Sequence, residues 1–359
     1  MRAAARMQKD HRMRMEELRQ AATDRLPRPV SEYFNQGSVE GITASEAVTA
    51  WDRVRFRPRV LRDVSAVSVA TTVLGQQLAT PVCVAPTALH RAAHADGEVA
   101  TARGAAAAGS LMAVSTNAGV TFEQIGATGA AWWLQCYVLR DRGLTKAIAQ
   151  RARAAGASAV VLTADTPVVG RKQNAGPSVW DVVPADYLLA NIDQSDLPDW
   201  ALDKADDLTP DTIGWLSEVC GLPVVVKGVL RADDARVVTS AGAAAVQVSN
   251  HGGRQLDQSV ATADALPEIA AAVAGSGAEV YVDGGIRRGE HVLAAMALGA
   301  RAVFVGRPVL WALAAGGESG QGGCAGVGEL LGDLTAELRH AMTLAGVRTA
   351  SEITSDLVA

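Results

Sequence analysis

The chain has 359 residues, 49% of them hydrophobic and 20% charged, with 33 basic against 38 acidic side chains. That slightly acidic balance and the lack of any basic block exclude nucleic acid as a partner, and no apolar run reaches the ~18 residues that cross a bilayer. An Ala- and Val-rich composition at this length describes a large packed core, not a disordered chain.

Residues 1 to about 80 precede any regular repeat. Their opening, MRAAARMQKDHRMRMEELRQ, is Arg-rich but broken by Asp10, Glu16 and Glu17 and followed by no apolar stretch, which favours a solvated helix over a transit peptide. The rest of this segment is expected to form helices closing the bottom and side of the domain that follows. From Pro81 onward eight short apolar runs recur: PVCVAPTA, LMAVSTN from Leu111, WWLQCYV from Trp132, AVVLTADTP from Ala159, PVVVKG from Pro223, AAVQVSNHGG from Ala244, EVYVDGG from Glu279 and AVFVGRP from Ala302. Continuous apolar runs this short fit strands buried on both faces of a parallel sheet. Helical patterns lie between them, and DGEVATARGAAAAG, LTKAIAQRARAAG, RADDARVVTSAG and GEHVLAAMALG each close on a glycine, where a left-handed residue ends a helix.

Eightfold β/α alternation predicts an α/β protein built as a TIM (β/α)8 barrel, with a doubly wound open sheet as the rival architecture. The chain then divides into an N-terminal helical extension, 1–80, and a barrel, 81–359. The stretch from about 168 to 222, between strands four and five, is too long for one helix and is expected to be a lid over the active end.

In such a barrel the functional residues sit at the C-terminal strand ends. Strand four ends in Asp165. Strand five ends in Lys227, whose ammonium can steady a developing negative charge, snorkel to water, or form a Schiff base as in an aldolase. Strand six ends in His251, followed three residues later by Arg254. An Asp165–His251 pair would fix the imidazole tautomer for proton abstraction, and Arg254 would grip a carboxylate as a bidentate fork. Strands seven and eight end in DGGIRRG and VGRP, which set Arg287 and Arg307 beside glycine turns suited to a phosphate dianion. A further match, Gly320-x-Gly322-x-x-Ala325, resembles a dinucleotide loop but opens no βα unit and reads as turn chemistry. Cys83, Cys136, Cys220 and Cys324 have no ligand spacing and read as reduced thiols of a cytoplasmic protein. His11, His90, His94, His291 and His340 likewise make no metal-ligand spacing, so no metal is expected.

SNHGGRQLD, together with APTA, LTADTP, VVKGV, DGGIRRG and VGRP in chain order, resembles the FMN-dependent 2-hydroxy acid oxidase and dehydrogenase family from about Leu26 to about Ile353. The resemblance implies FMN as cofactor, oxidation of an (S)-2-hydroxy acid to the 2-oxo acid by a hydride or a carbanion route, and a homotetramer. Oxygen is the expected electron acceptor, with a quinone or a carrier protein as alternatives. By the same resemblance His251 is the base, Asp165 its partner and Arg254 a ligand of the substrate carboxylate, with Tyr33 and Tyr137 binding substrate. Pro86, Thr87, Ala88, Ser115, Gln135, Thr163 and Lys227 match positions around the isoalloxazine ring, and Asp283, Gly284, Gly285, Arg287, Gly306 and Arg307 match the ribityl and phosphate site.

Two residues depart from the family pattern. Lys172 stands where a second carboxylate-binding arginine is usual, and Asn117 where several members carry a bulky aromatic side chain. The substrate is therefore expected to be bulky or aryl, such as mandelate. Oxidation of an amine or a modified peptide on the same flavin fold, and a flavin-binding protein without turnover, are the alternative readings.

Overall fold

The computed structural model describes residues 11–173, 176–192, 197–316 and 322–359. The start of the Arg-rich opening, positions 174–175 and 193–196 of the expected lid, and Gly320 of the dinucleotide-like match lie outside the described residues.

An antiparallel hairpin of β1 (Thr71–Val73) and β2 (Gln76–Leu78) precedes eight parallel strands, one from each apolar run: β3 (Val82–Val84), β4 (Leu111–Ser115), β5 (Ala131–Cys136), β6 (Val160–Thr163), β7 (Val224–Val229), β8 (Ala245–Val248), β9 (Glu279–Asp283) and β10 (Ala302–Val305). They close in the order β10-β3-β4-β5-β6-β7-β8-β9, with Val303 paired to Val82 on one side and Val282 on the other. Closure leaves no sheet edge, so the open-sheet rival is overturned. The helices between strands end as their glycines predict: Gly109, Gly156, Gly242 and Gly299 have φ of 63°, 102°, 97° and 108°, a region that L side chains enter at a cost.

The barrel interior is solid. Trp133, Tyr281 and Phe304 fill it, with ring centroids 5.5 to 5.8 Å apart, and the small Ala113, Ala159, Ala245 and Ala302 make room for them. Any ligand must therefore sit above this plug, at the strand ends.

The bottom of the barrel is closed by the β1–β2 hairpin and not by a helix. Val73 and Leu78 pack under the core, Leu74 N–H donates to Glu279 Oε2 at 3.3 Å, and Ala79 N–H donates to the Gly109 carbonyl at 2.9 Å. Its two turn residues, Leu74 and Gly75, both have positive φ, 42° and 80°. A leucine in place of the usual Asn or Asp hides that turn from a reading of the sequence.

The N-terminal helices His11–Arg25, Arg28–Asn35 and Ile42–Asp52 lead toward the opposite, active end, where Ser38 N–H donates to the Gly253 carbonyl at 2.8 Å. Ile42–Asp52 packs directly on the turn after β9. Trp51 Nε1 donates to the Gly284 carbonyl at 2.7 Å, and a Cβ on Gly285 would lie 2.1 Å from the Ala47 carbonyl oxygen. The stretch after β6 holds short turns, Val179–Asp181, Asp186–Leu189 and Asp199–Leu202, before the barrel helix Asp211–Cys220. Among the described residues no helix is long and apolar enough to cross a membrane.

Candidate active site

At their C-terminal ends the apolar strands turn polar in register. Ser115 pairs with Gln135 across β4 and β5, Thr163 with Lys227 across β6 and β7, and Lys227 with Gln247 across β7 and β8. All five are buried, and Gln135 Nε2 donates to Thr163 Oγ1 at 2.9 Å. Buried polar groups persist only where partners satisfy them. Ser115, Gln135, Thr163 and Lys227 line a cavity of about 450 Å³ that also touches Phe304 of the plug. Pro86, Thr87 and Ala88 form part of its wall, with the Thr87 hydroxyl 2.6 Å from His90 Nε2. Contrary to the expectation that Lys227 ends its strand, β7 continues to Val229. The register shifts between Lys227 and Val229, where Gly228 has a φ of 106°.

His251 enters the cavity from a short turn after β8. Its own φ is 56°, followed by 63° at Gly252 and 73° at Gly253. A left-handed histidine costs roughly 1–2 kcal/mol, a strain that surrounding contacts must hold. Here His251 N–H donates to Ser249 Oγ at 3.1 Å, and Ser249 Oγ donates to Asp283 Oδ1 at 2.7 Å. Asp283 is itself fixed by Gln247 Nε2 at 2.6 Å. Gly253 is obligatory, since a Cβ there would lie 2.5 Å from Ala44 N.

Asp165 Oδ1 lies 3.0 Å from His251 Nδ1 and accepts from Thr166 Oγ1 at 3.2 Å, while Lys227 Nζ lies 3.9 Å from Asp165 Oδ2. A carboxylate only accepts, so Nδ1 carries the proton and Nε2 keeps a free lone pair. Burial alone would raise Asp165, but the Lys227 ammonium and the His251 contact outweigh it and hold the carboxyl below the ordinary carboxylate range. Burial, reinforced by Lys227 and opposed by Asp165, lowers His251 from the ordinary histidine value. His251 lines the cavity. Asp165 does not; it sits behind the imidazole.

Tyr33, Asn117, Tyr137, Lys172 and Arg254 line the same cavity. The Arg254 guanidinium rests 4.7 Å from the Tyr33 ring centroid and donates Nη1 to the Tyr33 and Gln36 carbonyls at 2.7 and 3.0 Å. Lys172 donates its ammonium to the Arg254 carbonyl, and burial beside Arg254 and Arg307 pushes it down to about 8. It therefore bears on the site partly by fixing the residue it neighbours. Burial raises the Tyr137 phenol, which stays a hydrogen-bond donor. Asn117 is partly buried, with its backbone N–H on Ser115 Oγ at 3.1 Å.

The far end of the cavity is formed by Asp283, Gly284, Gly285, Arg287, Gly306 and Arg307. Burial pushes Arg287 down to about 10 and Arg307 to about 9, the latter also through Arg254 and Arg287. Arg287 stacks 5.3 Å from the Trp311 ring centroid, and Arg307 donates to the Phe34 and Gln36 carbonyls at 3.2 and 3.1 Å. Two crowded, desolvated guanidinium groups beside glycine turns form a site that a phosphate dianion stabilises. With the polar ring and Lys227 at the other end, these residues fit a flat, polar-edged ring system carrying one terminal phosphate.

Two contributors, Gln36 and Lys204, carried no signal in the sequence, and a third, Trp180, lies in the stretch expected to be the lid. Gln36 acts through its carbonyl, which receives both Arg254 and Arg307. Trp180 reaches the cavity from the lid and meets Tyr33 edge-on at 5.4 Å. Lys204, inside the acidic run LDKADD, reads as solvated surface yet lines the cavity with Nζ 3.7 Å from the Tyr137 ring centroid.

The model of the FMN-dependent dehydrogenase family matches residues 22–359. The L-lactate oxidase of Nostoc sp. is 41% identical over 354 residues, covering 94% of this chain and 95% of that protein. Glycolate oxidase 3 of Arabidopsis thaliana is 41% identical over 352 residues, covering 94% and 93%. Among solved structures, mandelate oxidase with (S)-4-hydroxymandelic acid is similar with a TM-score of 0.85 at 38% identity, covering 96% of this chain and 98% of that one. Lactate oxidase of Pediococcus acidilactici gives 0.87 at 33% identity, covering 94% and 92%.

Proposed function

Because the chain belongs to the FMN-dependent dehydrogenase family and is an FMN-dependent oxidiser of 2-hydroxy acids, we propose that its substrate is a bulky or aryl (S)-2-hydroxy acid such as mandelate and its electron acceptor is oxygen. The observation that carries the chemistry is the His251 Nδ1 contact with Asp165 at 3.0 Å, which leaves Nε2 as the basic nitrogen of a cavity-lining imidazole. Bound FMN supplies the acceptor for the two electrons leaving the substrate carbon.

The protein's own groups divide the remaining work. Arg254 keeps donors beyond those bound to Tyr33 and Gln36, and these take the substrate carboxylate. Tyr137, held protonated by burial, donates to the substrate oxygens. His251 Nε2 removes a substrate proton, and Asp165 stabilises the imidazolium that forms. Lys227, buried in the cavity wall, would steady negative charge developing on the bound cofactor, and Arg287 and Arg307 would hold its phosphate.

Support for a large substrate comes from Asn117, a short side chain in the cavity wall, and from the aromatic pair Tyr33–Trp180. The likeness to mandelate oxidase points the same way. The test is oxygen uptake and peroxide release with glycolate, lactate and mandelate. Mandelate turning over fastest, with one peroxide per 2-oxo acid, is the expected result. Glycolate turning over fastest would overturn the substrate assignment, and 2-oxo acid formed without peroxide would overturn the acceptor. Family resemblance supports a homotetramer, which sedimentation would test. The free thiols Cys83, Cys136 and Cys220, all buried, support a reducing cytoplasmic setting.

A further inference from the structure

Lys204 is held where an ordinary surface lysine would not be. The segment that carries it is tied to the end of β5 by an isolated bridge between Leu139 and Lys204. Two backbone bonds flank that bridge: Arg140 N–H to the Asp203 carbonyl and Ala205 N–H to the Val138 carbonyl, both 2.8 Å. Its neighbours face water, with Asp203 and Asp206 58% and 62% exposed and both within reach of Arg140. Lys204 alternates inward and lays its ammonium over the Tyr137 ring. Among the described residues no carboxylate pairs with it. The acid whose charge acts on it is Asp165, already engaged by His251 and Lys227.

A partly buried cation that rests on an aromatic face in a cavity wall, with no carboxylate paired to it, is open to an anionic partner. Arg254 and Lys172 stand together, joined through the Arg254 carbonyl, whereas Lys204 is fixed to a different strand end, beside Tyr137. We propose that Lys204 is a second anion subsite of this cavity, taking the distal carboxylate of a 2-hydroxydicarboxylic acid while Arg254 holds the carboxylate beside the reacting carbon. This rests on the oxidase reading above and adds to its large aryl substrates a class with an acidic far end. Burial pushes the Lys204 ammonium down to about 8, and an anion seated against it would favour the charged form.

The test uses the holoenzyme and two acids that differ only at the far end, 2-hydroxypentanoate and 2-hydroxyglutarate. Apparent Kd is read from the concentration dependence of anaerobic flavin reduction. One charge-assisted contact predicts an advantage of about tenfold or more for 2-hydroxyglutarate in wild type. That advantage should fall to near parity in Lys204→Met and be partly kept in Lys204→Arg. Parity in wild type, or an advantage unchanged by Lys204→Met, overturns the subsite and leaves the oxidase reading standing. If neither acid reduces the flavin, the oxidase reading fails for these compounds, and the subsite is read from binding alone. The flavin absorbance change on adding 2-oxoglutarate or 2-oxopentanoate must then show the same preference and the same loss in Lys204→Met, and equal binding overturns the proposal.

Discussion

Gly228 and Asp165 are in such close contact that a Cβ on Gly228 would lie 2.5 Å from the Asp165 Cβ. The bulge in β7 thus makes the space in which Asp165 backs His251, and φ of 106° adds a second reason for glycine. Gly228→Ala should push the carboxylate out of line. The rate of flavin reduction is expected to fall on the order of 10²-fold, since a small misplacement of a catalytic group has that effect. FMN content should be retained. Wild-type rates in a folded Gly228→Ala protein would show that the contact does not position the pair.

The pH dependence follows from the groups around His251. On the proposed mechanism its neutral form acts as the base, and burial with Lys227 lowers its pKa while Asp165 raises it. Flavin reduction should therefore rise with pH through a value below the ordinary histidine range and be level at neutral pH. Lys227→Met removes a like charge and should move the acid limb to higher pH. Asp165→Asn removes the stabilising carboxylate, so its limb should move to lower pH with a reduced plateau. A shift of opposite sign in either variant, in pH profiles of anaerobic reduction, would contradict the assignment.

Arg287 and Arg307 are two desolvated cations at the end of the cavity proposed to hold the phosphate. Arg287→Ala should weaken FMN binding on the order of 10- to 100-fold, the loss of one charge-assisted contact. Flavin fluorescence during titration of apoprotein reads this directly. An unchanged Kd would move the phosphate elsewhere.

Much of the architecture was legible because each barrel strand is a short apolar run that ends at a polar or glycine residue, and because helix-ending glycines recur with the same conformation at Gly109, Gly156, Gly242 and Gly299. His251 and Arg254 were legible for a related reason: charge following an apolar run marks a strand end. The hairpin was not, because Leu74 occupies a turn position that usually announces itself by Asn or Asp. Lys204 was not, because its inward direction comes from backbone pairing with Leu139, and nothing in LDKADD distinguishes it from its solvated neighbours. Gln36 acts through a main-chain carbonyl, a group every residue carries.

Trp133 is fully buried in the plug beneath the cavity, in contact with both Tyr281 and Phe304. Trp133→Ala should cost about 3–5 kcal/mol of stability, the transfer and cavity loss of a buried aromatic. The same variant should also loosen FMN. Thermal unfolding with and without added FMN checks both, and a transition unmoved from wild type would mean that the plug does not support the site.

The central claim, that His251 is the base of a 2-hydroxy acid oxidation, is tested most directly by rapid mixing of FMN-loaded protein with mandelate in the absence of oxygen, for wild type and His251→Ala. The account predicts bleaching of the flavin in wild type and a rate on the order of 10²- to 10⁴-fold lower in the variant at equal FMN content. Bleaching of His251→Ala at the wild-type rate would contradict it.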